Sequence, residues 1–223
     1  KDWFSGNNAG FVFSFKYPAG PEWKVNIGDG TNRADIDVGG LIADNQWHTL
    51  SVSFDRDGYM KMYEDGVLLD SADISSVGDI TTNAGLFFGM DINQSYAYNG
   101  SIAEVRVWNT LINNQNIQSW HCSHLDNTHP NFNNLIGYWK LNEGTGTIAM
   151  DYWGGFGIPN GTINNSTWYS PDSIWIYDYT NTPRIADVPV TALTHLCVPI
   201  DSNWQLDGVS LIPNCTSTML EEI

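Results

Sequence analysis

Residues 47–70 read WHTLSVSFDRDGYMKMYEDGVLLD, and residues 85–109 read GLFFGMDINQSYAYNGSIAEVRVWN. Across 47–54 and 59–63, apolar and polar side chains alternate with the period of two that marks half-buried strands. Asp55-Arg56-Asp57-Gly58 separates the two runs. Asp side chains bond turn backbone, and Gly accepts positive φ. A second turn, Glu64-Asp65-Gly66, returns the chain into VLLD. In the second stretch, 86–89 is expected as a short apolar strand. Residues 100–109 are expected as a long one that sends Ile102, Val105, Val107 and Trp108 into a core. Short β-branched and aromatic strands joined by tight polar turns predict an all-β fold, an antiparallel β-sandwich.

Working outward, 11–17 and 22–27 carry the same alternation and are separated by Pro18, Gly20 and Pro21. A polar turn and a short strand around 34–38 follow. Beyond Trp108, the spacing of Leu111, Ile112, Ile117 and Trp120 predicts a short helix. Residues 121–134 are polar with one Pro and read as a linker or long loop. Residues 135–141 predict a strand, and Gly-Thr-Gly then turns the chain into a second short strand that runs to Asp151.

With 223 residues, the chain has room for one sandwich plus an appendage. Nine Lys+Arg against 25 Asp+Glu give a net charge of -16. Such a charge repels phosphate backbones and anionic membrane surfaces, so nucleic acid and membrane insertion are excluded as expectations. No apolar run approaches the ~20 residues that cross a bilayer, and residues 1–20 lack a leader pattern. A secreted, periplasmic or cell-surface chain, already processed or excised, is expected. Cys122, Cys197 and Cys215 follow no metal-ligand spacing, and a Cys197–Cys215 bridge is conceivable. Ten Trp and ten Tyr suit the flat faces of sugars, although such rings also build cores. Sequons at Asn93, Asn99, Asn160, Asn164, Asn165 and Asn214 are crowded in a way that points to a bacterial source.

The pattern W-H-x-L-x-V-x-F-D from Trp47, Y-x-D-G from Tyr63 and G-x-I-x-E-V-R-V-W-N from Gly100 resembles the laminin-G-like, concanavalin A-like jelly rolls. That group is dominated by binding modules. GYWKLNEGTGTIAMD at 137–151 is similar to another stretch of these sandwiches. The resemblance implies a jelly roll over 1–150, lacking one or more N-terminal strands, into which 135–151 pairs. A small irregular extension over 151–223 follows. Within it, RIADVPVTALTHLCVPIDSNWQLDGVSLIP at 184–213 resembles the closing segment of the alkaline phosphatase and sulfatase superfamily, through Arg184, Asp187, Val188, Thr191, Leu193, Leu206, Asp207 and Gly208. The nucleophile and metal clusters of that superfamily are missing here. What this implies is a non-catalytic carbohydrate-binding module associated with an upstream catalytic domain of hydrolase type. The alternative is an interaction or scaffold domain that packs on its catalytic partner and binds no sugar.

Sandwich loops are where such folds carry function. The ligand-binding candidates are Trp23, Tyr96 and Tyr98 as stacking rings, with Arg33, Asp91 and Asn93 as hydrogen-bonding partners for a glycan. Laminin-G-like domains often hold calcium at the rim, which makes Asp29, Asn32, Asp35, Asp91, Asn93 and Gln94 candidate oxygen ligands. Asp35 and Asp37 share one strand face but lack the third carboxylate of a glucanase run. His121, Cys122, His124 and His129 form a soft-ligand cluster that could hold zinc or simply be structural. No phosphate loop, G-x-S-x-G elbow or H-E-x-x-H run occurs, so no enzyme is expected.

Overall fold

The computed structural model describes residues 1, 6–15, 20, 22–93, 95–155 and 159–168. The chain divides into two units, Lys1–Trp168 and Tyr169–Ile223, and all the described residues belong to the first. The 184–213 segment, Cys197 and Cys215 lie outside the described residues.

Strands β1 (Gly10–Phe15), β2 (Trp23–Gly28) and β3 (Arg33–Ile36) form one antiparallel sheet in chain order. Strands β4 (Leu50–Phe54), β5 (Tyr59–Glu64) and β6 (Val67–Asp73) form a second. The β4–β5 turn closes through the Gly58 N–H on the Asp55 carbonyl at 3.0 Å. The β5–β6 turn has two central residues, Asp65 at φ 49° and Gly66 at φ 77°. Two successive left-handed residues match the twist of a two-residue hairpin, which explains an Asp-Gly pair at this point. Period-two alternation then sends Trp23, Val25, Ile27 and Ile36 to one side and Met60 and Met62 to the other. With Ile74 and Val77 they make one buried cluster, onto which Val52 and Phe54 pack. The fold is an all-β antiparallel sandwich whose core is this inter-sheet layer.

A third pair joins β7 (Val105–Trp108) to β8 (Leu135–Trp139), antiparallel, with Val105 opposite Trp139. Helix α1 (Asn114–Trp120) lies between them in sequence, and the Asn113 side chain caps it by accepting the Asn116 N–H at 2.7 Å. Leu125, Leu135 and Tyr138 form a second buried cluster, flanked by Trp108, Trp120, Phe132 and Trp153. Hydrogen bonds tie α1 and its exit to the second sheet: Tyr63 Oη to Asn114 Oδ1 at 2.7 Å, and Thr49 Oγ1 to the His121 carbonyl at 2.6 Å. The short strands β9 (Ile148–Ala149) and β10 (Gly161–Thr162) pair with each other, and Asp151 bridges back to Trp139.

Two expected strands differ in the structure. Residues 86–89 form no strand; Gly89 sits at φ 82°, which breaks extended backbone, and Leu86 and Phe87 are exposed. The expected 100–109 strand shortens to β7 because Glu104 adopts φ 55°, a conformation that interrupts a ladder. Cys122 is disulfide-bonded.

Two tests follow from this packing. Trp23 is fully buried, and its indole N–H donates to Glu64 Oε2 at 2.6 Å. Trp23→Ala should cost about 3–5 kcal/mol in urea unfolding, and a loss below 1 kcal/mol would contradict the core assignment. His48 lies between Asp65 (Nδ1 to Oδ2, 2.8 Å) and Asp44 (Nε2 to Oδ1, 3.2 Å). Burial, the largest single influence, acts to lower its pKa, but the bonds and charges of Asp65 and Asp44 outweigh it and leave the pKa above the usual 6.5. The folded state therefore holds the proton more tightly than the unfolded state. The stability His48 contributes is complete below pH 6.5 and fades as pH rises through the raised value. His48→Gln should flatten stability between pH 6 and 8 by about 0.5–1 kcal/mol, measured by urea melts across that range.

Candidate functional site

The residues singled out from sequence fall into separate places. Trp23 is core: besides its bond to Glu64 it packs on Phe13 with ring centroids 6.0 Å apart, so no face is left for a sugar. This corrects its assignment as a stacking ring; a Trp at the start of an alternating strand points wherever the sheet's register sends it. Arg33 spends its guanidinium on Asp35, with Nε 2.6 Å from Oδ2 and a second bond to Oδ1, and on the Gly6 carbonyl at 3.1 Å. The Asp35 hydrogen bond raises the Arg33 pKa.

Asp29 organises the β2–β3 turn. Its carboxylate accepts the N–H groups of Gly78 (2.6 Å), Asn32 (2.6 Å) and Thr31 (2.7 Å), and the Asn32 side-chain amide at 3.1 Å. Those backbone donors, Gly78 foremost, hold its carboxyl well below the usual carboxylate range. Oxygens occupied by N–H donors, beside an Asp35 neutralised by arginine, do not fit a calcium site built on Asp29, Asn32 and Asp35.

Asp91 is 6% exposed and nucleates the next loop: Oδ1 accepts the N–H of Asn93 at 3.0 Å and of Ser95 at 2.8 Å. Gln94 lies outside the described residues. Among the described residues, no group of three or more His, Cys, Asp or Glu side chains converges as a metal site. The histidines of the soft-ligand cluster also have separate duties. His129 is buried between Trp108 and Trp120, His124 faces Glu104, and His121 Nδ1 lies 2.7 Å from the Gln118 carbonyl.

The two tyrosines of this loop are presented outward. Tyr98 stacks on Phe15 with centroids 4.8 Å apart at 23°, its N–H donates to the Gly89 carbonyl at 2.6 Å, and it remains 38% exposed. Tyr96 sits at φ 54°, which turns the chain at the loop's crest, and is 58% exposed. The Asp91 staple and the Phe15 stack thus hold an aromatic rim with Asn93 beside it.

A second place was not singled out from sequence. The Glu104 side chain is 4% exposed; Tyr138 Oη donates to its two oxygens at 2.8 and 2.9 Å, and Arg106 Nη2 reaches Oε2 at 2.5 Å. Arg106 also donates to the carbonyls of Trp120 and Ser123, which ties β7 to the exit of α1. Burial first, and then the Glu104 charge, push the Tyr138 phenol far above its usual range, so it stays a neutral donor. Beside this network lies a cleft of about 180 Å³, floored by Leu125, Phe132 and Leu135. Its walls are Tyr138, Lys140, Tyr152 and Trp153. Lys140 Nζ stands 4.8 Å from the Tyr152 ring centroid and 5.8 Å from that of Tyr138. Asp151 fixes the far wall, accepting the N–H groups of Tyr138 (2.9 Å), Trp153 (3.0 Å) and Gly154 (3.2 Å). The sequence signal was the alternation in GYWK, which puts Tyr138 and Lys140 on one face of their strand.

Residues 1–118 match the family model Laminin_G_3, described as the concanavalin A-like lectin/glucanases superfamily. Residues 125–212 match a model described as a domain of unknown function, DUF4983. A crystal structure from Bacteroides ovatus ATCC 8483, called a "putative carbohydrate binding protein", is similar at 18% identity and TM-score 0.48. The match covers 74% of this chain and 52% of that one, so the chain spans about half the length of that protein. No curated protein matches.

The Glu104 network gives a stability test. Glu104→Gln leaves Arg106 buried without its counter-charge and should cost about 3–5 kcal/mol. Tyr138→Phe removes hydrogen bonds to a charged group and should cost about 1.5–3 kcal/mol. Because both act on one carboxylate, the double variant should lose less than the sum of the two. Additive losses in chemical denaturation would contradict a shared network.

Proposed function

The chain belongs to the concanavalin A-like lectin/glucanases superfamily, and on that premise we propose that it is a non-catalytic carbohydrate-binding module. The observation that carries the reading is the rim: Tyr98, braced by Phe15 and still 38% exposed, beside Tyr96 and Asn93 on a loop stapled by Asp91. A braced ring loses little freedom on binding, and its face suits the apolar C–H face of a sugar, whose hydroxyls then meet neighbouring amides. The non-catalytic part of the reading is supported by the duties of the buried acids. Both Glu104 oxygens are engaged by Tyr138 and Arg106, and Asp91 Oδ1 by its loop; Asp91 Oδ2 is buried without a partner, and no second carboxylate is found beside it to complete an acid pair among the described residues.

Export of the module is supported by the Cys122 disulfide, since such bonds persist in oxidising compartments. Its association with a phosphatase- or sulfatase-type hydrolase is supported by the 184–213 resemblance. A division into a jelly roll over 1–150 and an extension over 151–223 remains part of this proposal. The scaffold alternative is supported by edge strand β1: Phe11, Phe13 and Phe15 share the face of their partners Ile27, Val25 and Trp23 and pack on Phe54, Trp23 and Tyr98, yet each stays 37–38% exposed, as at an uncovered sheet margin.

Titration with a panel of soluble oligosaccharides should show binding to at least one, and Tyr98→Ala should weaken it about tenfold, or ~1.4 kcal/mol. No binding across the panel, together with capture of a partner domain that Phe13→Asp abolishes while the variant still unfolds cooperatively, would decide for the scaffold.

A further inference from the structure

We propose that the Tyr138–Lys140–Tyr152–Trp153 cleft is a second binding site, distinct from the rim, and that it takes a hexuronate residue of an oligosaccharide. The cleft residues lie within the stretch matching a domain of unknown function. Lys140 supplies the charge selection. Its ammonium stands over the Tyr152 and Tyr138 rings and has no carboxylate within ion-pair distance among the described residues. Three acids of the surrounding segments have partners of their own: Glu104 in Tyr138 and Arg106, Asp151 in three backbone N–H groups, and Glu143 in the Met150 N–H through Oε1 alone, its Oε2 being buried without a partner and its charge felt by Tyr152. In a chain of net charge -16, a cation held on aromatic faces at the lip of a cleft is a local inversion of sign. A cation so placed keeps its attraction for an anion while its stem covers apolar surface.

The shape supplies the ring selection. Tyr138 and Tyr152 are 6.2 Å apart and tilted by 54°, Tyr152 is 44% exposed, and Trp153 is set edge-on against Phe132 at 5.1 Å. About 180 Å³ is below the ~300–1,000 Å³ of drug-sized pockets and suits one ring of a chain whose neighbours lie outside. The Asp151 staple and the Tyr138–Glu104 bond hold these walls in place before any ligand arrives, which lowers the ordering cost of binding. One sugar ring against Tyr152, with its carboxylate on Lys140 Nζ, uses both features. A neutral hexose leaves the ammonium unused, and a simple anion leaves the rings unused.

The test is calorimetric titration of the full chain with trigalacturonate, a glucuronate-bearing trisaccharide, the methyl ester of trigalacturonate and benzoate. At least one of the two acidic trisaccharides should bind, with the ester and benzoate at least tenfold weaker. Lys140→Gln should abolish the preference for acid over ester while the variant still unfolds cooperatively, and Tyr152→Ala should weaken acid and ester alike. Tyr98→Ala should leave uronate binding untouched, which separates this site from the rim. The proposal is overturned if neither acidic trisaccharide binds, if ester or benzoate binds as tightly as the acid, if Lys140→Gln has no effect, or if Tyr98→Ala abolishes uronate binding. Failure of neutral-glycan binding at the rim, with uronate binding intact, would sink the rim reading alone.

Discussion

The buried carboxylate of Glu104 is the constraint on which the site-bearing half of the molecule depends. A carboxylate at 4% exposure must be matched by donors, because desolvating an unpaired charge costs more than any packing gain nearby returns. Tyr138 and Arg106 supply them from β8 and β7, and Arg106 carries the connection on to the carbonyls of Trp120 and Ser123. One side chain therefore fixes the strand pair, the exit of α1 and the orientation of Tyr138, whose ring is a wall of the cleft. The left-handed backbone at Glu104 belongs to the same arrangement: its N–H reaches the Lys140 carbonyl at 3.1 Å where the ladder would otherwise continue.

The sandwich itself was legible because its signals are local. The alternation in LSVSF and YMKMYE, and the Asp-Gly turn between β5 and β6, specify strands and hairpin without reference to anything distant. The 86–89 and 100–104 segments misled for a related reason. Leu86-Phe87-Phe88 has the composition of a strand and 100–104 leads straight into one, but the positive φ at Gly89 and Glu104 is not something that spacing reveals. Trp23 illustrates the same limit at the site. Its type suits a sugar platform, yet its register against β1 and β3, and the Glu64 carboxylate 41 residues away, place it at the centre of the core. The cleft was illegible because it gathers residues from 125 to 153 around a phenol–carboxylate bond to Glu104, a pairing that neither of the two stretches carrying these residues announces alone.

The acidic surplus has a structural explanation more specific than a solvated surface. Asp73-Ile74-Ser75, Asp79-Ile80-Thr81 and Asp126-Asn127-Thr128 repeat one device: Oδ1 accepts both the backbone N–H, at 2.8 Å, and the hydroxyl, at 2.6 Å, of the residue two positions on. Each of these carboxyls is held below its usual range by those bonds, the hydroxyl first. Asp29 and Asp91 play related parts in longer loops. Carboxylates used in this way are acceptors for the chain's own donors. An acid-rich rim is consequently poor evidence for a bound cation when Ser, Thr or Gly amides follow the acids closely.

That electrostatic background also constrains how the cleft could work. A chain of net charge -16 repels a polyuronate at long range, so its field cannot speed the encounter. At physiological ionic strength the repulsion is screened beyond about 8 Å, whereas a carboxylate in contact with Lys140 is screened much less. The same contact is reinforced by the desolvating faces of Tyr138 and Tyr152. Selectivity in such a site arises at contact and not on approach. On the proposed reading, an isolated uronate on a mostly neutral glycan would meet less of this long-range repulsion than a densely charged chain of the same length.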